Sequence, residues 1–395
     1  MVFVAEGPDL APFPVRPVRS PPVLGKVFKA YDVRATYPKP LNEKIAWQIG
    51  FATAEYLLGE ASDAGYDDPM MRHVVVGRDM RASSPALAEN LRQGMRDFGA
   101  HVIDLGRVDT SMVYFAIHML GCAGGVMVTA SHNPPNYNGF KISRRGGRPV
   151  GSGSGLEEIR RLAALVDRAK QQSRGGREES RNLWQPYREH LLRFMSPSLL
   201  ERTRDLKVVV DASNGMAGTM VPEVFSAVKG LQISRLNFDN ESGEFAHEPN
   251  PLVEANLAQV REAVVKRKAA IGFCFDGDAD RCMVVDEKGE PVGCDLILAW
   301  LVSRFLERSP GAPVVYDLRS SRVVREAIEE AGGRPVEERV GHVFMKARMA
   351  AEQAVVGGEL SGHFYFRDTF NADNGARMFV EVVSALAENR KPLSK

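Results

Sequence analysis

Apolar and polar residues follow two periods along this chain, one typical of strands and the other typical of helices. Short apolar runs that end in Gly, Asn, Asp or Pro predict buried strands, whereas apolar residues spaced by three and four predict helices. The helical spacing is clear over residues 41–58 and 110–120, and the strand pattern is clear at 73–76 and 102–106. Strands that alternate with helices in this way predict α/β domains.

One arrangement occurs three times: a buried apolar run, an Asp, a turn with Arg, Ser or Asn, and then a helix. The copies begin near His73, Leu206 and Pro313, at intervals too irregular for a solenoid. We predict three consecutive related α/β domains with mixed sheets flanked by helices and an active-site cleft between them. The polar segment Gln171–Arg181 has little to bury and marks the first boundary. The predicted limits are 1–22 for a Pro-rich tail, then 23–182, 183–294 and 295–395 for the domains.

The beginning of the first domain carries a weaker signal. Apolar and polar residues roughly alternate over 24–34, so we predict a strand that ends in a charged loop. By pattern alone, Tyr31 and Arg34 in this segment are surface residues. The preceding residues 1–22 are rich in Pro and lack the basic start and continuous apolar core of a secretion signal. They predict a loosely packed tail.

Composition excludes several classes of protein. The 395 residues are 44% hydrophobic, and 51 Lys and Arg against 50 Asp and Glu leave the chain almost neutral. This balance argues against nucleic acid or an anionic membrane as the main partner, and no apolar run is long enough to predict a membrane span. The four cysteines have no C-x-x-C spacing, so they predict reduced, buried thiols in a cytoplasmic protein and argue against a zinc site.

One loop combines a serine with acid/base and cationic side chains. It reads T-A-S-H-N-P-P-N-Y-N-G-F-K from Thr129 to Lys141 and directly follows the apolar run 126–128. Its Pro-Pro and Gly residues indicate a tight turn after a strand. Ser131 is therefore a loop cap or a nucleophile. The adjacent His132 and the cationic Lys141 favour a phosphate-carrying nucleophile, because a dianion needs fixed geometry and positive charge.

A second loop places three carboxylates at alternate positions. Asp276, Asp278 and Asp280 are separated by Gly and Ala, precede Arg281 and lie between two apolar runs. Without a cation these carboxylates would repel one another, and oxygen ligands suit Mg²⁺ or Ca²⁺. A calcium EF-hand needs Gly where Arg281 stands and helices on both sides. The pattern thus favours a Mg²⁺ site, open to a phosphate oxygen, over an EF-hand or a solvated acidic turn.

Two further segments bring together hydrogen-bonding side chains. V-V-G-G-E-L-S-G-H at 355–363 places Glu359, Ser361 and His363 among glycines, which gives close backbone access. His342 lies in the segment V-G-H-V-F-M-K, just before a predicted helix. Such groups suit the hydroxyls of a ligand. Each histidine, considered alone, is equally well explained as a structural residue.

The serine loop, the D-G-D-A-D-R loop and the G-E-L-S-G-H turn occur in this order at domain-sized intervals. Together they resemble the α-D-phosphohexomutase superfamily, above all its bacterial phosphomannomutase/phosphoglucomutase branch. The segments V-F-K-A-Y-D-V-R and V-G-H-V-F-M-K fit as well, so the resemblance covers roughly residues 24–390. It implies a phosphohexomutase that interconverts the 1- and 6-phosphates of mannose, glucose or both through a phosphoserine and a 1,6-bisphosphate intermediate.

The resemblance also implies a role for each motif. The first domain would carry the phosphoserine loop, the second the metal-binding loop and the third the sugar-binding loop. The implied ligands of Mg²⁺ are Asp276, Asp278, Asp280 and a phosphate oxygen on Ser131. The implied acid/base or phosphate-stabilising residues are Arg34, His132, Lys141 and Arg281. The implied substrate contacts are Tyr31, Arg319, His342, His363 and, for the 3- and 4-hydroxyls of the sugar, Glu359 and Ser361.

The same resemblance implies the partners of this protein and shows where its sequence differs from the superfamily. It implies Mg²⁺ as cofactor, glucose or mannose 1,6-bisphosphate as activator, and small sugar phosphates as the partners of a monomer or weak homodimer. The superfamily has a fourth, C-terminal domain with an Arg-Ser/Ala-x-x-Thr-Glu-Pro-type loop for the non-transferring phosphate, and residues 1–395 contain no such loop. We expect the phosphotransfer residues to remain and substrate binding to be weaker. Ala35 stands where the family usually has Gly.

Two alternative functions stay open from the sequence. One is the phosphoglucosamine mutase branch, which usually has Gln at the position of Leu360, so this Leu favours mannose and glucose phosphates. The other is a sugar-phosphate-binding fragment with little activity, which the expected lack of a fourth domain suggests.

Overall fold

The computed structural model of this protein describes residues 22–395, without the side chains of Pro22 and Lys170. Three mixed sheets follow one another along the chain, and helices flank each of them. This architecture confirms the predicted fold class. The predicted tail lies outside the described residues except for Pro22, where the first helix begins. The predicted domain limits stay predictions.

The first domain is built on a six-stranded sheet. Its strands are β1 Val33–Thr36, β2 His73–Arg78, β3 His101–Arg107, β4 Gly124–Val128, β5 Tyr137–Arg144 and β6 Glu178–Ser180. Its helices are α1 Pro22–Val27, α2 Glu43–Asp63, α3 Ser84–Phe98, α4 Thr110–Leu120 and α5 Leu156–Leu165. The order is β1-β5-β4-β2-β3-β6, with β2 parallel to both β3 and β4. The carboxyl ends of β2 and β4 therefore meet at one edge, where the serine loop begins.

The second domain is built on a five-stranded sheet with the order β11-β10-β9-β7-β8. The strands are β7 Leu206–Asp211, β8 Leu231–Leu236, β9 Ile271–Phe275, β10 Cys282–Val285 and β11 Pro291–Val292. The helices are α6 Trp184–Leu192, α7 Pro197–Leu200, α8 Ala217–Phe225 and α9 Ala258–Arg267. The acidic loop connects the antiparallel strands β9 and β10. These flanking strands exclude the EF-hand, which needs helices on both sides.

The third domain is also built on five strands, in the order β13-β12-β14-β15-β16. They are β12 Pro313–Asp317, β13 Arg334–Glu338, β14 Val356–Gly358, β15 Phe364–Phe366 and β16 Ala372–Asp373. The helices are α10 Cys294–Arg308, α11 Arg322–Glu330, α12 His342–Glu352 and α13 Gly375–Asn389. The turn between the antiparallel strands β14 and β15 carries the predicted sugar-binding residues.

Helix α13 ties the third domain to the second. The ring centroid of Phe379 lies 4.7 Å from that of Phe225 and 4.6 Å from that of Phe273. The backbone N–H of Ser196 donates to Ser384 Oγ at 2.9 Å. One hydrophobic cluster continues through all three domains, from Val75 in the first to the end of α13. A second cluster lies within the first domain and includes Val126, Val128 and Phe140, which flank the serine loop.

Local structure differs from the prediction at both ends of the first domain. The segment predicted as a strand at 24–34 begins with α1, and its strand starts only at Val33. Leu24 and Val27 are buried on one face of α1, and the buried Phe28 follows the helix and forms a β-bridge with Val33. Part of the predicted polar boundary forms β6 at the edge of the sheet. No helix within residues 22–395 is long and apolar enough to cross a membrane.

Candidate active site

Ser131 lies just beyond the carboxyl end of β4, in a strained backbone conformation. Its φ of 49° is in the left-handed region, which non-Gly residues seldom adopt. The side chain is buried, and its Oγ donates to Asp276 Oδ2 at 2.8 Å. Nδ1 of His132 lies 3.3 Å from the same Oγ. The structure thus brings the predicted nucleophile, a candidate base and the acidic loop into direct contact.

Arg81, which sequence reasoning missed, holds the serine loop in place. Its Nε donates to Asp79 Oδ2 at 3.0 Å. Its two terminal nitrogens donate to four backbone carbonyls of the loop at 2.6 to 3.1 Å, those of Ser131, Asn133, Pro134 and Tyr137. Arg81 and Asp79 are both fully buried. Every Arg81 nitrogen therefore donates a hydrogen bond, and the guanidinium fixes the loop backbone through four of its carbonyls.

A signal for Arg81 was present in the sequence. The segment Gly77-Arg78-Asp79-Met80-Arg81 leaves β2 at the sheet edge where the serine loop leaves β4, and these strands are parallel neighbours. Buried strands that end in charged residues at one edge indicate a shared polar site. We predicted the strand and the polar turn, but the pairing of β2 with β4 only becomes evident in the fold.

The acidic loop of the second domain approaches the serine loop very closely. A Cβ added to Gly277 would lie 2.4 Å from the backbone oxygen of Ser131. Any other residue at this position would force the two loops apart. The ring of Phe245 packs 4.8 Å from the guanidinium of Arg81, so it covers the other side of the junction.

The three aspartates are fully buried, and each offers one oxygen within 4.8 Å of the others. Lys141 Nζ donates to Asp278 Oδ2 at 2.6 Å and to Asp280 Oδ2 at 2.5 Å. Thr110 Oγ1 also donates to Asp278 Oδ2, at 2.6 Å. The other oxygen of Asp278 is buried without a hydrogen-bond partner among the described residues. A buried, oxygen-only donor set with an unpaired carboxylate oxygen fits a hard divalent cation.

Charges in the cluster are strongly coupled. Burial and the charges of Asp278 and Asp280 raise the pKa of Asp276 well above its usual value. Burial alone would raise the pKa of Asp280 as well, but Lys141 and His363 outweigh it and hold the pKa well below its usual value. The same carboxylates raise the pKa of Lys141 against the effect of its burial. Lys141 is therefore a firmly protonated cation beside the serine loop.

Arg34 and Arg281 approach the serine loop from two domains. Arg34 Nη1 donates to Asn133 Oδ1 at 2.8 Å, and its Nη2 pairs with Asp32 Oδ2 at 2.5 Å. Arg281 Nε lies 3.7 Å from Asp276 Oδ2. Burial and these two guanidiniums lower the pKa of His132 to about 3, which makes the imidazole neutral. All four residues predicted as acid/base or phosphate-stabilising groups thus contact Ser131, its loop or the aspartates beside it.

The sugar-binding turn is connected to the acidic loop. Arg281 and His363 form a backbone β-bridge, and Arg281 Nε donates to His363 Nε2 at 3.3 Å. Nε2 of His363 also lies 3.5 Å from Asp280 Oδ1, while its Nδ1 is 2.9 Å from Ser361 Oγ. Glu359 is buried and accepts from the backbone N–H of Gly341 and from the Tyr365 hydroxyl. The turn is therefore a preformed polar surface that faces the aspartates.

The remaining predicted contacts lie towards the edge of the cleft. The ring of Tyr31 lies 6.1 Å from that of His342, across the junction of the first and third domains. Burial and the charge of Lys346 lower the pKa of His342 well below its usual value. Arg319 is bound to Asp317 Oδ2 at 2.7 Å and is 42% exposed at its side chain. It is the most accessible cation of the predicted set, and the roles of all these residues stay predictions.

Three domain models of one family match this chain. They are described as Phosphoglucomutase/phosphomannomutase, alpha/beta/alpha domains I, II and III, and they match residues 25–169, 185–289 and 294–395. The chain belongs to the phosphoglucomutase/phosphomannomutase family. The predicted superfamily is thereby confirmed, and so are the predicted activity and class: the chain is a phosphohexomutase, an isomerase that acts as an intramolecular phosphotransferase.

Relatives support this assignment over most of the chain. A phosphomannomutase of Escherichia coli strain K12 is 37% identical over 373 residues, which cover 93% of this chain and 78% of the relative. A protein of Xanthomonas campestris pv. campestris named Phosphohexose mutases is 39% identical over 368 residues, with the same coverage. The crystal structure of a phosphoglucomutase/phosphomannomutase family protein from Burkholderia thailandensis has a TM-score of 0.82 and 34% identity, covering 92% of this chain and 77% of that one.

Proposed function

We propose that Ser131 carries the phosphoryl group of a reaction that interconverts hexose 1-phosphates and 6-phosphates of mannose, glucose or both. The observation that carries this proposal is the contact of Ser131 Oγ with Asp276 Oδ2 at 2.8 Å, at the edge of the buried carboxylate cluster. A serine that only caps a loop does not require contact with a buried carboxylate cluster. A phosphate on Ser131 would add about two negative charges near the cationic side chains of Arg34, Lys141 and Arg281.

In the proposed reaction, the bond between phosphorus and Ser131 Oγ breaks while the 6-hydroxyl of a hexose 1-phosphate forms a new bond to phosphorus. The proton of the 6-hydroxyl goes to a neighbouring base, and the base returns it to Ser131 Oγ as this oxygen leaves phosphorus. His132 Nδ1 lies 3.3 Å from Ser131 Oγ, so the neutral imidazole can hydrogen-bond to this oxygen during the transfer. The resulting 1,6-bisphosphate then returns its 1-phosphate to Ser131 and leaves the 6-phosphate sugar.

We propose Mg²⁺ as the cation of the acidic loop, held by Asp276, Asp278, Asp280 and an oxygen of phosphorylated Ser131. When bound, it supplies positive charge to the transferring phosphoryl group. The single positive charge of Lys141 offsets part of the negative charge of Asp278 and Asp280. Arg34 at the serine loop and Arg281 beside Asp276 would stabilise negative charge on the transferring phosphoryl group.

The sugar is proposed to lie between the aspartates and the turn of the third domain. Ser361 and His363 present hydroxyl and imidazole groups towards Asp280. Glu359 anchors Gly341, at the start of the segment that contains His342, and would exchange one of its internal hydrogen bonds for a sugar hydroxyl. Tyr31 and Arg319 would contact the sugar or its second phosphate at the rim. Leu360 favours mannose and glucose over glucosamine.

A coupled mutase assay on the 395-residue chain tests the proposal. With Mg²⁺ and glucose 1,6-bisphosphate as activator, we expect turnover of mannose 1-phosphate and glucose 1-phosphate, and none from the Ser131→Ala variant. A matched control is Ser152→Ala, because Ser152 is exposed and, among residues 22–395, its hydroxyl donates only to Glu157. Retained activity in Ser131→Ala would overturn the proposed donor. A strong preference for glucosamine phosphate would favour the alternative branch, and sugar-phosphate binding without turnover would favour a binding fragment.

A further inference from the structure

The first turn of helix α4, in the first domain, contacts the acidic loop of the second domain. Thr110 begins this helix and is fully buried, and its Oγ1 donates to Asp278 Oδ2 at 2.6 Å. Its backbone N–H donates to the carbonyl oxygen of Asp278 at 3.1 Å. The N–H groups in the first turn of a helix have no acceptor within the helix, so the acidic loop supplies one. Thr110 therefore binds both the side chain and the backbone of a candidate metal ligand.

The start of α4 is itself held by all three domains. Asp109 precedes the helix, and its Oδ2 accepts from a backbone N–H of the first turn at 3.3 Å and from the hydroxyl of Tyr187, in the second domain, at 3.1 Å. Such a capping Asp stabilises the beginning of a helix. Ser111 Oγ donates to the carbonyl of Asp373, in the third domain, at 3.1 Å. The hydroxyl of Thr110 is therefore presented from a fixed element.

The two carboxylate oxygens of Asp278 have different surroundings. Oδ2 accepts from both Thr110 Oγ1 and Lys141 Nζ, each at 2.6 Å. Oδ1 has no hydrogen-bond partner within residues 22–395. Because a carboxylate oxygen has about two lone-pair sites, the two donors occupy those of Oδ2. Oδ1 is the oxygen of Asp278 that remains for a cation.

A hydrogen bond is needed to decide which oxygen remains. The terminal torsion of an Asp side chain is broad and roughly two-fold, so covalent geometry alone does not distinguish Oδ1 from Oδ2. Lys141 is a weak restraint, because its ammonium ends a flexible stem and also donates to Asp280 Oδ2 at 2.5 Å. Thr110 is β-branched and stiff at χ1, and its hydroxyl donates to Asp278 alone among the described residues. It is therefore the more specific restraint on this carboxylate.

We propose that Thr110 is a positioning residue for the metal ion: its hydroxyl holds Asp278 Oδ2, so that Oδ1 is the oxygen presented to Mg²⁺. This role rests on the proposed Mg²⁺ site and adds to it a residue of another domain. Mg²⁺ requires nearly ideal octahedral geometry, so the orientation of each carboxylate matters. Removal of a group that hydrogen-bonds to a metal ligand typically costs about 10- to 100-fold in metal affinity.

Titration of the full chain with Mn²⁺ tests the proposal, with the free ion followed by electron paramagnetic resonance and Mg²⁺ added as a competitor. Mn²⁺ prefers the same oxygen ligands as Mg²⁺, and intact mass first confirms that Ser131 carries no phosphate. Thr110→Val removes the hydroxyl and keeps the branched shape, whereas Thr110→Ala removes it without placing a methyl group against Asp278 Oδ2. Both are expected to weaken Mn²⁺ and Mg²⁺ binding at least about tenfold. Thr110→Ser keeps the hydroxyl and should retain most of the affinity.

Thr53→Val is the matched control. Thr53 is also a fully buried threonine of the first domain, in α2, and its hydroxyl has no hydrogen-bond partner within residues 22–395. We expect its replacement to leave metal affinity unchanged. In the mutase assay, Thr110→Val should raise the Mg²⁺ concentration for half-maximal rate about tenfold and leave the KM for sugar phosphate at saturating Mg²⁺ unchanged. A merely structural hydrogen bond would instead change only urea unfolding, measured in EDTA.

The outcomes separate this inference from the proposed function. Wild-type Mn²⁺ affinity in both Thr110→Val and Thr110→Ala would overturn the positioning role and leave the Mg²⁺ site intact. An equal loss of affinity in Thr53→Val, or an equal loss in Thr110→Ser, would show that the hydroxyl of Thr110 is not the cause. A lack of Mn²⁺ binding by the wild-type chain would overturn the proposed metal site and the role of Thr110 with it.

Discussion

Replacement of Arg81 by Lys tests whether the serine loop must be held by a guanidinium. Arg81 donates to five acceptors, the Asp79 carboxylate and four loop carbonyls. A lysine ammonium keeps the charge but has only three donors, so at least two of these acceptors lose a hydrogen bond, and of the four carbonyls that of Pro134 also accepts from the backbone N–H of Tyr137. Because a buried acceptor without a partner costs about 1 to 3 kcal/mol, we expect Arg81→Lys to lose about 3 kcal/mol of unfolding free energy.

The same change is expected to slow phosphotransfer. A shift of the reacting group by about 1 Å can cost about 100-fold in rate, and the carbonyl of Ser131 is one of the acceptors of Arg81. We therefore expect kcat to fall about 100-fold, with a smaller change in the KM for sugar phosphate. Single-turnover phosphorylation of Ser131 by glucose 1,6-bisphosphate should slow by a similar factor, because the defect lies in the placement of the serine.

Arg92→Lys is a matched control for this experiment. Arg92 is also a largely buried arginine of the first domain, and it pairs with Glu89, Asp104 and Glu178, far along the sheet from the serine loop. Urea unfolding should show a loss of stability in both variants, whereas only Arg81→Lys should lose phosphotransfer. A folded Arg81→Lys variant with wild-type kcat, or an Arg92→Lys variant with an equal loss of kcat, would refute the positioning role.

Three further predictions concern packing, metal and pH. Gly277→Ala should lower kcat at least about tenfold in the coupled assay, because its Cβ would lie 2.4 Å from the Ser131 carbonyl. Gly59→Ala in α2, whose Cβ would meet no atom of residues 22–395 within 4 Å, should leave kcat unchanged and add about 0.5 to 1 kcal/mol of stability. Equal kcat values for the two variants would contradict this contrast. Chelation by EDTA should abolish turnover and added Mg²⁺ should restore it, whereas full turnover in EDTA would exclude a metal requirement. Burial of His247 disfavours its charged form, but the hydrogen bond to Asp211 outweighs this and raises the pKa of His247. The stability that the His247–Asp211 pair contributes is therefore present below the pKa of the unfolded state and is lost as pH rises through the folded-state pKa. The difference in urea midpoint between wild type and His247→Gln should narrow from pH 6 to pH 8.5, and a constant difference would contradict the ion pair.

The elements that carry the chemistry were predictable because each depends on local pattern. The apolar run before Ser131, the alternate aspartates and the glycines around Glu359 all mark strand ends, and the structure places them there. The order of the three motifs along the chain then led to the superfamily. The prediction from local pattern was wrong for the beginning of the 24–34 segment, which forms a helix and not a strand. Its buried residues fit an alternating pattern and a single helical turn about equally well.

Features that depend on distant pairing could not be predicted. The clamp of Arg81 on the serine loop needs β2 and β4 to be neighbours. The buried Lys346–Asp373 pair joins α12 to β16, and Lys346 also lies 3.8 Å from the ring centre of Tyr114 in the first domain. The segment V-G-H-V-F-M-K fits the superfamily, but hydrophobic periodicity alone does not distinguish Lys346 from a surface lysine on a helix. Such contacts are fixed by how the sheets pack together, which hydrophobic periodicity does not specify.

The most direct test of the central claim is the location of phosphate on the protein. The full chain, incubated with glucose 1,6-bisphosphate and Mg²⁺, should gain a single phosphate by intact mass, and peptide mapping should place it on Ser131. The Ser131→Ala variant should gain none, and the phosphorylated protein should lose its phosphate when glucose 1-phosphate or mannose 1-phosphate is added. A phosphate on another residue, or a phosphoserine that no sugar phosphate can discharge, would contradict the account.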